Sequence, residues 1–306
     1  MAHVAHAEDH IRYPRNVSSH RPLCHVLVVP GNPGLVSFYQ EFISELYALM
    51  EDVPNGDCVV EGYSLGGFQI TSPSPQPLGL QQQVNYVEAF IERAVRQDSE
   101  VPSKKVILIG HSVGAYLLLE ILRRHQERRK EREPPYNIIG GICLFPTVVD
   151  IAQSKSGRRV RHILNLPAFA LIASFVITSL LRIIPHFFLV QLVRVATQFP
   201  DDAVQTVAAY LQSKTGLQET FHMARDEMNE ITTDRWNEEV WGSAAGASEQ
   251  RTKLYFYFGE EDHWVAKKTR DDLMATRALR PDAKEDWRPK MEIDQSGVPH
   301  GFCIRG

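Results

Sequence analysis

A single pentapeptide narrows the folds open to this chain. Gly110-His111-Ser112-Val113-Gly114 follows the apolar run 105–109 without a gap and leads into a helical stretch reaching about residue 129. Strand, Gly-x-Ser-x-Gly and helix, in that order, specify a nucleophile elbow, the sharp turn that lifts a serine hydroxyl clear of a parallel sheet. The glycines have a steric basis, because side chains at Gly110 and Gly114 would collide with the tight turn. The helix N-terminus behind Ser112 adds partial positive charge where an oxyanion would form.

The chain carries its own comparison. Gly62-Tyr63-Ser64-Leu65-Gly66 has the same pattern but runs on into 71–77, which holds three prolines. No helix starts there, because proline lacks an N–H donor and clashes with the preceding turn. Ser64 therefore reads as a loop serine after a short strand at 58–60, and Ser112 as the nucleophile.

Around the elbow, β-branched apolar runs alternate with helical periodicity. A buried strand at 24–29 ends in the rigid turn Pro30-Gly31-Asn32-Pro33-Gly34, and an amphipathic helix follows at 38–50. Residues 80–97 place Val84, Val87, Phe90, Ile91 and Val95 at helical spacing. Further buried strands are expected at 138–145 and 254–258. Strands apolar throughout, alternating with helices, imply a mostly parallel sheet covered on both faces, the α/β-hydrolase class of α/β fold. The expected organisation is a flexible tail at 1–20, core halves at 21–146 and 250–306, and a helical cap at 147–249. The usual leading hairpin and a closing helix after the last loop are expected to be missing.

With 306 residues the chain can bury a large core, and a formal charge of −4 gives no basic surface for nucleic acid. Cys24, Cys58, Cys143 and Cys303 lack metal-ligand spacing and read as free thiols, so neither metal nor cofactor is expected. His3, His6 and His10 sit in a polar N-terminal stretch that reads as tail rather than metal site. That stretch lacks the apolar core of a secretory signal, so cytosolic synthesis is expected.

The segment 163–193, from Ile163 at its start to Val193 at its end, has a different character. Residues 163–181 carry no charge, and Phe187, Phe188, Leu189 and Val190 extend the apolar run beyond Arg182. A single membrane span would put the two halves of the sheet on opposite sides of a bilayer. Two readings survive: a cap helix pair packed on its own domain, or a helical hairpin lying on a membrane surface. Arg158, Arg159, Arg161, Arg182 and Arg194 could then sit at headgroup level.

In a fold of this class the acid and histidine follow the serine. The strand at 254–258 runs into Gly259-Glu260-Glu261-Asp262-His263, and Asp262 is the expected acid, with Glu260 and Glu261 facing solvent and Asp150 as rival. His300, in the small-residue loop 297–302, is the expected base. His263 adjoins Asp262 too closely in sequence to pair with it. The oxyanion donors are expected from the backbone N–H groups of Val113 and Asn32, since Pro33 has none.

Together, Pro30-Gly31-Asn32-Pro33-Gly34 with Phe38-Tyr39, Gly110-His111-Ser112-Val113-Gly114, Leu144-Phe145-Pro146-Thr147, Ser156-Gly157-Arg158, Tyr257-Phe258-Gly259 before Asp262-x-Trp264, and Pro299-His300 resemble the lipid droplet-associated hydrolase family. The resemblance spans about residues 23–302. It implies an α/β-hydrolase that acts on lipid esters such as sterol esters or acylglycerols and resides on lipid droplets and the endoplasmic reticulum. The family's nucleophile, acid and base fall on Ser112, Asp262 and His300, and the apolar segment becomes its lipid-docking surface. Two other classes stay open: a droplet-surface protein that keeps the fold but acts by binding, and a soluble esterase or acyltransferase.

Overall fold

The computed structural model describes residues 8–14, 24–51, 58–70, 74, 76–97, 104–242, 251–280 and 287–305. Its strands are β1 (His10–Tyr13), β2 (Cys24–Val29), β3 (Cys58–Tyr63), β4 (Lys104–His111), β5 (Tyr136–Leu144), β6 (Lys253–Phe258) and β7 (Lys290–Ile293). They form one sheet in the order β1-β3-β2-β4-β5-β6-β7. Every pairing is parallel except that of β1 with β3. All six residues of β2 are buried. Successive side chains of a strand point to opposite faces, so both faces of the sheet are covered there.

Helices α1 (Gln40–Glu51), α2 (Leu80–Gln97) and α3 (Val113–Glu131) alternate with the first strands. Their apolar faces supply Ile43, Val84, Ile91, Leu117 and Leu118 to the core. Five helices are inserted between β5 and β6: α4 (Lys155–Leu164), α5 (Phe169–Ile183), α6 (His186–Thr197), α7 (Asp201–Leu211) and α8 (Gly216–Glu230). Helix α9 (Lys267–Arg277) joins β6 to β7, and a short helix, α10 (Phe302–Arg305), follows the last loop.

One expectation needs correction. The stretch 1–20 is not tail throughout, because His10–Tyr13 forms the antiparallel edge strand that was expected to be absent. His10 lies in that strand. Its ring stacks on Tyr63 and bonds to the buried Glu61 carboxylate, while His3 and His6 lie outside the described residues. Burial would raise the Glu61 carboxyl, but hydrogen bonds from His10 and His25 and the charge of Arg12 bring it down to about 2. The apolar segment is broken, as a helix pair or hairpin requires, with a bend of 95° between α4 and α5. Among the described residues no single helix is long and apolar enough to cross a membrane.

Helix α5 is inverted relative to an ordinary surface helix. It buries Ser174 and Thr178 while Phe175 is 71% and Ile183 78% exposed. Helix α6 buries Leu189, Val190 and Val193 against Val204 and Ala208 of α7, and exposes Phe187, Phe188, Leu192 and Val195. Among the described residues, all the exposed large hydrophobic side chains except Leu49, Leu279 and Val298 lie between Ile163 and Val195. Monomeric soluble proteins rarely expose so continuous an apolar face.

Candidate active site

Because β2, β4, β6 and β7 are parallel, their carboxyl ends share one edge of the sheet, where α/β folds assemble their sites. Strand β4 delivers Ser112, which stands at φ 54° and ψ −123° as the residue before α3. A side chain is strained in that conformation, and the elbow holds it by close packing. A Cβ on Gly110 would lie 2.4 Å from the Gly114 carbonyl oxygen, and one on Gly114 would lie 2.3 Å from the carbonyl oxygen of Val29. Both positions therefore exclude any residue but glycine, and the second lets the start of α3 cross the end of β2.

The turn after β6 and the loop after β7 bring the other two groups to the serine. His300 Nε2 lies 3.0 Å from Ser112 Oγ, and His300 Nδ1 lies 2.7 Å from Asp262 Oδ2. Asp262 accepts through Oδ2, so Nδ1 carries the ring proton and Nε2 faces the serine hydroxyl as an acceptor. The other carboxylate oxygen, Oδ1, accepts from the Trp264 N–H at 2.7 Å. Asp262 is thus fixed by its own turn, and its side chain is almost wholly buried. Glu260 and Glu261 are exposed on that turn. Asp150, the rival acid, heads the 3-10 turn Ile151–Gln153, where its N–H donates to the Thr232 carbonyl. His263 bonds to Ser156 at 3.0 Å rather than to Asp262. Ser64 is buried after β3 and accepts from the Val36 N–H.

Asn32 and Val113 flank the serine from β2 and α3. Neither backbone N–H is taken by an internal hydrogen bond among the described residues. The Asn32 side chain points elsewhere: its Nδ2 donates to the Thr220 carbonyl at 3.1 Å and to Glu227 Oε1 at 2.9 Å. Around these groups lies a cavity of about 240 Å³ that Phe38, Ile151, Met228 and Ile304 make largely apolar.

Three supporting residues escaped the sequence reading. Asp294 shapes the histidine loop by accepting from the Ser296 hydroxyl at 2.6 Å, the Tyr257 hydroxyl and the Val298 and Ser296 N–H groups, and these bonds hold its carboxyl well below the usual range. Burial, followed by the charge of His300, pushes the second, His111, down to about 3, so its ring is neutral at ordinary pH. Its Nε2 lies 2.8 Å from the His300 carbonyl oxygen, which can only accept. Nδ1 therefore accepts from the hydroxyl of the third residue, Tyr39, at 2.6 Å, and that oxygen accepts from the Gly31 N–H at 2.8 Å. This chain of bonds ties the turn after β2 to the histidine loop. The only sequence signal for it was the Phe38-Tyr39 pair.

The fold is shared widely. An esterase from Exiguobacterium antarcticum superposes with a TM-score of 0.53 at 11% identity, covering 96% of this chain and 88% of that one. A homoserine O-acetyltransferase from Staphylococcus aureus reaches 0.52 at 17% identity, covering 96% and 83%. Sequence similarity is narrower in what it selects. Proteins named lipid droplet-associated hydrolase match from Gallus gallus, 25% identical over 95% of this chain and 83% of theirs, and from Drosophila melanogaster, 26% identical over 92% and 84%. A family model described as lipid-droplet associated hydrolase covers residues 22–303. The chain therefore belongs to the lipid droplet-associated hydrolase family, on an α/β-hydrolase fold.

Proposed function

We propose that this protein is a serine hydrolase of lipid esters, sterol esters or acylglycerols, working through an acyl-enzyme. The reading rests on one observation, the 3.0 Å and 2.7 Å contacts that link Ser112, His300 and Asp262 at the elbow. Ser112 attacks the ester carbonyl as His300 Nε2 takes its proton. Asp262 keeps the imidazole in the required tautomer and stabilises the imidazolium. The backbone N–H groups of Asn32 and Val113, with the positive end of α3, stabilise the tetrahedral oxyanion. The imidazolium then protonates the leaving alcohol, and water repeats the cycle on the acyl-enzyme.

The exposed face of α5 and α6, within 163–193, is our docking element for the monolayer of lipid droplets and the cytosolic side of the endoplasmic reticulum. A cavity of about 240 Å³ is below the roughly 300–1,000 Å³ of sites that enclose a drug-sized ligand. On this reading the site encloses the ester and part of the acyl chain, and the rest of the lipid stays in its own phase. A fluorophosphonate probe tests the chemistry: wild type and Ser64→Ala should be labelled, and Ser112→Ala should not. The opposite pattern sinks the elbow assignment, and no labelling of wild type favours the binding-protein alternative.

A further inference from the structure

Helix α8 contributes Ala224, Glu227 and Met228 to the cavity wall, and Glu227 is the carboxylate among the residues lining that cavity. Only 5% of Glu227 is exposed, and the triad chemistry leaves it without a task. Its Oε1 accepts from Asn32 Nδ2 at 2.9 Å, and the same amide group donates at 3.1 Å to the Thr220 carbonyl, about two turns earlier on α8. The turn after β2 is thus gripped twice. Gly31 is held through Tyr39 and His111 from the histidine loop, and Asn32 is held through its side chain from the cap.

We propose that Glu227 is a positioning residue for the oxyanion turn, holding the Asn32 carboxamide against α8 and so aiming the Asn32 backbone N–H at the ester. The inference rests on the functional reading above, and it makes the inserted cap part of the hydrolytic site. Three observations support it. Asn32 is followed by Pro33, which offers no N–H, so no neighbouring donor can replace Asn32 if the peptide rotates. Burial pushes the Glu227 carboxyl up to about 7. A substantial neutral fraction near neutral pH limits repulsion of the nearby oxyanion, while Oε1 accepts from the amide in either protonation state. Finally, α8 also carries Phe221, whose ring packs 5.6 Å from that of Phe169 at the start of α5. The helix that holds Asn32 is therefore in contact with the apolar hairpin, and movement of that hairpin on a lipid surface has a direct route to the turn.

The test uses the full chain and four variants: Glu227→Ala, Glu227→Gln, Asn32→Ala and the Glu227→Ala/Asn32→Ala double. Glutamine keeps an acceptor oxygen for Asn32 Nδ2, so it is the conservative control. Hydrogen exchange of the peptide spanning 30–36 reads the turn directly: protection should fall in Glu227→Ala and be retained in Glu227→Gln. With a soluble short-chain p-nitrophenyl ester, Glu227→Ala should lower kcat about 10- to 100-fold with KM within about two-fold, less than the 10²–10³ typical of deleting an oxyanion donor outright. The double variant should be no worse than the poorer single, because both remove the same bond. Unchanged exchange in Glu227→Ala overturns the proposal, as does a higher KM with kcat intact. If Glu227→Ala does not fold, Asn32→Ala must show the same loss of protection and of kcat, or the proposal falls. A wild type without esterase activity refutes the functional reading, while the exchange data still decide whether Glu227 holds the turn.

Discussion

The imidazole of His111 donates from Nε2 to the main-chain oxygen of His300 at 2.8 Å, so the residue before the candidate nucleophile grips the peptide of the candidate base. The middle position of the elbow therefore has a task of its own. It locks the distance between two loops that come from different strands.

Replacing His111 by Phe keeps a ring in place but leaves the His300 carbonyl and the Tyr39 hydroxyl without their partner. Each buried polar group left unpaired costs about 1–3 kcal/mol. For the two groups together, chemical denaturation should show a loss of about 2–6 kcal/mol, and fluorophosphonate labelling of Ser112 should slow about ten-fold without vanishing. Unaltered labelling would show that the histidine loop holds its position alone.

Asp262→Asn should preserve the fold and lower kcat by about 10⁴, because an amide donating to Nδ1 leaves the proton on Nε2, where it cannot accept from serine. Asp150→Asn should leave kcat within about two-fold. Steady-state kinetics of the two variants side by side check this, and a reversed ranking would return the acid's role to Asp150.

The apolar face offers a separable test. Phe169 packs on Phe221, so it belongs to the cap's own core rather than to the docking surface. Ile172, Phe175, Phe187 and Phe188 are the exposed set. Changing these four to Ser removes several kcal/mol of transferable apolar surface, at about 25 cal/mol per Å². Droplet flotation should fall by at least about 100-fold with the melting temperature nearly unchanged. Retention on droplets, or unfolding, would make the face an ordinary cap surface.

Glu219, buried on α8, accepts from the Leu78 N–H and from Gln83, and burial pushes its carboxyl from the ordinary 4.5 up to about 7. The folded state keeps a proton that the unfolded chain releases above about 4.5. Stability from this group is therefore fully present below that pH and is lost as the pH rises through about 7. Glu219→Gln should gain on wild type between pH 5 and pH 8 by up to about 3 kcal/mol, at roughly 1.4 kcal/mol per pKa unit. Urea denaturation at both pH values measures it, and a pH-independent offset would exclude the titration as the cause.

The strand–elbow–helix unit, the central strands and the three side chains that meet at the elbow were all legible in the residues. They depend on local patterns: apolar runs, glycine spacing and proline breaks act within a few residues of where they are written. The short strands β1 and β7 were not legible, because four residues at a sheet edge leave no periodic trace. Nor was the orientation of α5, since an apolar run has the same average hydropathy whether its Phe side or its Ser174 and Thr178 side turns inward. The bond from Asp262 to the histidine ring, the bond from His111 to His300 and the grip of Glu227 on Asn32 join residues 38, 189 and 195 positions apart. Single polar contacts across such separations have no local signature. Only the packing of the sheet edge against the cap decides which polar groups meet there, because each group buried at that junction must find a partner.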